Sequence, residues 1–165
     1  MSARSITGFD VEGPVQAEVF VLFRDANNRP NLTGPCGAEP WYLEVGADED
    51  PTAVVAAAIR RVIGEPVVVH STSWRRDRSS VLLSFVAIID RGLLGGMTTV
   101  PVPRAELARG GADTAPETVG TLSVIEHGLR HLAWLVNDDP IVAECLDDGW
   151  HVVLSAYVPE PFRHL

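Results

Sequence analysis

Apolar residues recur with two periods along this chain, and the change of period divides it. Ala17 to Arg24 (AEVFVLFR) puts Val19, Val21 and Phe23 on one face and Phe20 and Leu22 on the other. That alternation predicts a strand covered on both sides. Asp25 to Pro40 is rich in Asn, Gly and Pro and reads as loop, and Trp41 to Val45 reads as a short strand. Asp50 before Pro51 suits an N-cap with Pro at the first helical position. The helix it opens carries Val55, Ala58, Ile59 and Val62 at helical spacing, with Arg60 and Arg61 in its last turn and Gly64 as its stop. Val67 to Thr72 reads as a strand, Trp74 to Ser79 (WRRDRS) as a charged turn, and Val81 to Ile89 as a central strand. Together they predict a hairpin. Leu94 to Pro103 is irregular, with a short strand near Val100.

Past Arg109 to Pro116 the period becomes helical. Leu122, Ile125, Leu129, Leu132 and Val136 form one stripe between about Glu117 and Asn137. Asp139-Pro140 opens a second helix by the same cap chemistry, Gly149 is placed to break it, and Trp150 to Tyr157 continues as helix. Pro159 and Pro161 end regular structure. The expected fold is α/β (α+β): a mixed sheet flanked by helices over 1–108, a connecting loop at 109–117 and a C-terminal helical hairpin over 118–165.

Charge narrows the function classes. The 165 residues carry 22 acidic and 13 basic side chains, every basic one an Arg, for a net charge of -9. Such a chain is a poor nucleic-acid binder, because phosphate counterion release needs a basic surface. The longest apolar run, Val81 to Ile89, is too short to span a bilayer, the N-terminus has no apolar signal segment, and Cys36 and Cys145 make no disulfide framework. The expectation is a cytoplasmic protein with neither nucleic-acid nor membrane partners.

The stretch Asp48 to Glu65 (DEDPTAVVAAAIRRVIGE) resembles the latter part of the Nudix hydrolase signature, G-x5-E-x7-R-E-U-x-E-E-x-G-U with U aliphatic. Glu49 falls on the first glutamate, Ile59 on the aliphatic position and Gly64 on the closing glycine. The Arg-Glu pair becomes Ala57-Ala58, and the paired glutamates become Arg61 and Val62. The resemblance, over roughly residues 17–105, implies a Nudix-like mixed sheet. The family hydrolyses nucleoside-diphosphate-linked compounds with Mg²⁺ held by helix carboxylates. A hard cation needs oxygen ligands, and here one ligand position is apolar and one cationic. The box is therefore degenerate, and what it implies is a non-catalytic domain, a pseudoenzyme without a cofactor.

Two groups of residues could bind instead. Arg60, Arg61, Arg75 and Arg76 could hold a phosphate or carboxylate directly, with Trp74 offering a stacking face for a nucleotide-like ring. Against that, Arg60 and Arg61 also suit a helix C-terminus, and WRRDRS also suits a solvated hairpin tip. His127 and His131 share one helix face at i, i+4, as zinc ligands do, yet no third ligand suits them and no metal is expected. On a helical wheel His127, His131 and Trp134 lie near 180–240° from Ile125. This second, semi-polar face is expected to pack on the Asp139–Tyr157 segment or on a second copy as a homodimer.

Three functions therefore compete: a non-catalytic module binding a small nucleotide-like ligand or a protein, a Mg²⁺-dependent hydrolase with displaced catalytic residues around Glu49, and a homo-oligomeric structural or regulatory protein with no ligand.

Overall fold

The computed structural model describes residues 13–106 and 119–159. The predicted connecting loop, the tail beyond Pro159 and the N-terminal arm before Gly13 lie outside the described residues.

Strand β1 (Val15–Arg24) is the centre of a mixed sheet. It runs parallel to β5 (Ser80–Ile88) on one side. On the other it pairs antiparallel with β3 (Trp41–Val45) along its first half and with β2 (Pro30–Thr33) along its second. β4 (Val68–Asp77) borders β5, and β6 (Thr99–Pro101) borders β2. β4 is the edge strand at its end of the sheet among the described strands.

Each sheet face has its own core, as the two apolar faces of β1 require. Val19, Val21 and Phe23 pack with Phe85, Ala87, Val55 and Ile59 beneath helix α1 (Pro51–Val62). Phe20 and Leu22 pack with Val86, Ile88, Leu129 and Leu132 beneath helix α2 (Thr121–Asp138). Helices α3 (Pro140–Cys145) and α4 (Asp148–Ser155) extend the second layer with Leu146, Trp150 and Val153. The architecture is thus α+β, a mixed sheet with helices on both faces.

The caps behave as their chemistry requires. Asp50 accepts from Thr52 N, and Asp139 accepts from Ile141 N and Val142 N. Four expectations need correction. The 25–40 loop contains β2, whose four residues gain pairing from both β1 and β6 and need no propensity of their own. The charged turn is shorter than expected. β4 runs through Trp74, Arg75 and Arg76 to Asp77, and the reversal falls at Arg78, where φ is +54°. Gly149 is no break: the helix stops at Leu146, and Asp147 caps α4 with Gly149 inside its first turn. Cys145 stands beside Leu146 on the helix that Asp139-Pro140 opens, where a thiol is expected to pack, yet it is exposed.

No helix among the described residues is long and apolar enough to cross a membrane.

Candidate functional site

Residues around the start of α1 are mostly engaged in holding that helix. Glu49 bonds back to Gly46 N at 2.8 Å, and Asp50 is the cap. Ala58 is buried against the sheet, while Ala57, Arg61 and Val62 are exposed. Arg60 is not free for a ligand, because its guanidinium makes a two-pronged contact with Glu65 at 2.7 and 2.9 Å. That bond raises the pKa of Arg60 and lowers that of Glu65. Of the two α1 arginines, Arg61 is the one with a solvent-facing side chain outside these contacts.

β4 separates the remaining candidates by face. The strand carries a bulge: Ser71 opposes Phe85 and Ser73 opposes Ser84, with Thr72 the extra residue between them. Beyond the bulge Arg75 opposes Leu82, and so points to the α2 side of the sheet. There both its Nη atoms grip Glu18, with the second at 2.7 Å, and Ser84 Oγ also donates to that carboxylate. Glu18 is only 1% exposed. The hydrogen bond that Arg75 donates to Glu18 raises the pKa of Arg75. Tyr42, opposite Glu18 on β3, has its phenol pushed up by burial and then by the Glu18 charge. Trp74 and Arg76 oppose Leu83 and Val81, and so share the other face. Both are exposed, Trp74 at 66%. The structure therefore splits the expected arginine cluster: Arg75 is a buried-pair partner, and Trp74 with Arg76 forms an outward pair at the sheet edge.

The semi-polar face of α2 meets β4, not the Asp139–Tyr157 segment. The His131 ring lies 4.9 Å from that of His70 on β4 and stacks on Trp134 at 5.6 Å. The His127 ring is parallel to that of His131 at 6.5 Å, and its Nε2 sits 3.3 Å from the Thr72 carbonyl, placed to donate to it. α4 lies instead along another flank, where Ala133, Val136 and Asn137 face His151 and Leu154 across a cavity of about 270 Å³. Burial, then the charges of His70 and His127, holds the His131 pKa down from 6.5 to about 4. His131 is 2% exposed within the single chain. No group of three His, Cys, Asp or Glu side chains among the described residues is arranged to hold a metal ion.

A second buried carboxylate escaped the sequence reading as a structural hub. Glu126 on α2 accepts from Arg104 at 2.9 and 3.1 Å, from Arg130 at 3.0 Å and from Ala105 N. Burial opposes its ionisation, but the bonds from Arg104 and Arg130 outweigh burial and leave its pKa lowered. Arg104 also donates to Ala156 O and lies 4.1 Å over the Tyr157 ring, so one guanidinium joins α2 to the end of α4. The signal for Glu18 was available: a lone carboxylate in a strand apolar on both faces must find a cation. For Glu126 no spacing rule connects it to Arg104.

No protein-family model and no curated protein matches the chain. Among solved structures, it is similar to a MutT/nudix family protein from Enterococcus faecalis, with 12% identity and a TM-score of 0.47 over 81% of this chain and 68% of that one. No residue role is carried across that likeness.

Proposed function

We propose that this chain is a non-catalytic binding module that recognises a protein partner at the β4 edge, with Trp74 and Arg76 as its contact pair. The observation that carries the reading is the exposure of Trp74 beside Arg76 on one face of an edge strand. Trp and Arg are the side chains most enriched among energetically dominant interface residues. Small-molecule sites are concave, whereas this pair stands on a strand at the rim of the sheet, which favours a protein over a nucleotide-like ligand. Arg76 and the adjacent exposed Arg78 give the edge a local positive charge on a chain of net charge -9, so a partner segment with acidic side chains suits it.

The lack of catalysis is supported by α1, which bears no carboxylate at any of its twelve positions. The nearest acids, Glu49 and Asp50, are spent on Gly46 N and Thr52 N. The test places a photo-crosslinking residue at the neighbouring exposed position 78 in the native host, leaving Trp74 and Arg76 in place, beside hydrolysis assays on nucleoside-diphosphate-linked compounds with Mg²⁺ and Mn²⁺. The expected result is a discrete protein adduct that unlabelled wild type competes away and a Trp74→Ser/Arg76→Glu variant does not. Metal-dependent turnover lost in Glu49→Ala overturns the reading, and so does an adduct that both competitors displace equally.

A further inference from the structure

We infer that the cavity between α2 and α4 is a small-molecule site that takes a primary ammonium carried on a compact apolar body. The cavity holds about 270 Å³. That is a little below the range of ligand sites, about 300–1,000 Å³, and well above the roughly 150 Å³ that suffices for benzene. A single ring with a short side arm is the scale of ligand that fits. None of the described residues lining it belongs to β4, so the site stands apart from the Trp74–Arg76 edge. Its floor and its rim differ in character. Ala133, Leu154 and Tyr157 are buried and give it an apolar floor. Asn137 and Ser155 line it from exposed positions, and His151 from a half-buried one.

The polar side chains of the rim present acceptors. Asn137 Nδ2 donates to the Ala133 carbonyl at 2.7 Å, Ser155 Oγ donates to the Val152 carbonyl at 2.7 Å, and His151 Nε2 lies 3.0 Å from the Ala143 carbonyl. A carbonyl only accepts, so the neutral imidazole carries its hydrogen on Nε2 and keeps Nδ1 as an acceptor. A ligand is therefore offered Asn137 Oδ1, the Ser155 lone pairs and His151 Nδ1, against one remaining N–H of Asn137. Charge points the same way. α2 ends at Asp138 and α4 at Ser155, so Asn137 and Ser155 both stand in last turns, where unpaired carbonyls make a helix end partially negative. Neither last turn holds a basic residue, and no Arg lines the cavity among the described residues. Asp138 follows Asn137 at the same helix end. Arg104 takes the Ala156 carbonyl just past α4, but it is paired with Glu126 and lies outside the lining. An anion would meet acceptors and two negative helix ends, whereas an ammonium donates to those acceptors and complements both ends.

The test titrates the whole chain with phenethylamine, an ammonium at neutral pH, and with its neutral and anionic counterparts, phenethyl alcohol and phenylpropionate, following amide resonances by NMR. The expected result is saturable shifts with phenethylamine centred on Ala133, Val136, Asn137, His151 and Ser155. Phenylpropionate should bind at least about tenfold more weakly, and Asn137→Leu should lose about tenfold in phenethylamine affinity, the scale of one hydrogen bond to a charged group. Phenethyl alcohol or phenylpropionate binding as tightly as the amine overturns the proposal, because the cavity is then only an apolar void. So do shifts centred elsewhere, the lack of saturable shifts with any probe, or an affinity unchanged in Asn137→Leu. Should that variant not fold, the ranking of the three probes on the wild type decides.

Discussion

Gly128 is one of the residues through which α2 touches the sheet, and replacing it with Ala tests that packing directly. A Cβ built there lies 2.5 Å from Val86 Cγ2 and 3.5 Å from Thr72 Cγ2. Carbon atoms in contact sit at about 3.5–4.0 Å, so the new methyl intrudes by roughly 1 Å. Val86 is fully buried, with β1 and β4 on the flanks of its sheet position, so it yields only by shifting within a packed core. Two effects oppose each other. Ala favours a helix interior over Gly by about 1 kcal/mol, while overpacking a tight core costs about 1–3 kcal/mol. An intrusion of this depth against a walled-in side chain falls at the upper end, so the net expectation is a loss of about 2 kcal/mol. Urea denaturation followed by far-UV circular dichroism measures it, and a second variant identifies the cause. Val86→Ala alone costs about 1.6 kcal/mol for two lost methyl groups. With those methyls gone the 128 methyl has space, so Gly128→Ala/Val86→Ala should be no less stable than Val86→Ala. The coupling expected is at least about 2 kcal/mol. A Gly128→Ala protein more stable than wild type by about 1 kcal/mol, as at an open helix site, refutes the reasoning, and so do strictly additive effects.

Two further substitutions test the polar contacts. Arg75→Met strands the buried Glu18 carboxylate with Ser84 as its remaining side-chain donor among the described residues and should cost about 3 kcal/mol at pH 7, while Glu18→Leu/Arg75→Met should recover most of that in the same denaturation assay. Asp147→Ala removes both the cap on Trp150 N and the partner of Arg24, whose guanidinium lies over Gly149, and should cost about 1–2 kcal/mol. Asp147→Asn keeps a capping oxygen and loses an ion pair that is 59% exposed on its acidic side, so its cost should stay below about 1 kcal/mol.

Much of the fold was legible because it is written in local chemistry. β1 shows apolar residues on both faces, and both faces are covered by separate cores. Asp50-Pro51 and Asp139-Pro140 are starts whose hydrogen bonds involve neighbours two or three residues on, so sequence suffices. β2 was invisible for the opposite reason: its pairing depends on β6, almost seventy residues away, joined at Asn31 opposite Pro101 and Thr33 opposite Thr99. The second face of α2 could be seen as real from the wheel. Its neighbour could not, because His70 on β4 has no periodic or spacing relation to His131.

The candidate site turned on a single inserted residue. Side chains alternate along a strand, so an unbroken β4 carrying His70 toward α2 would carry Thr72, Trp74 and Arg76 there too. Arg75 would then point to the α1 side, away from Glu18, and Trp74 would compete for the space that Arg75 fills. The bulge at Thr72 reverses that parity. His70 and Thr72 stay beneath α2, where Gly128 leaves room for the Thr72 methyl, and Ser73 takes the place opposite Ser84. Arg75 then reaches Glu18, and Trp74 and Arg76 turn outward together. Nothing in Ser71-Thr72-Ser73 announces the insertion, since three small polar residues suit a regular strand end equally well. A bulge also blunts an edge strand against indiscriminate pairing. The same residue that places Arg75 in an ion pair thus selects which side chains the edge presents, and under the proposed protein recognition it favours contact through side chains over an added strand.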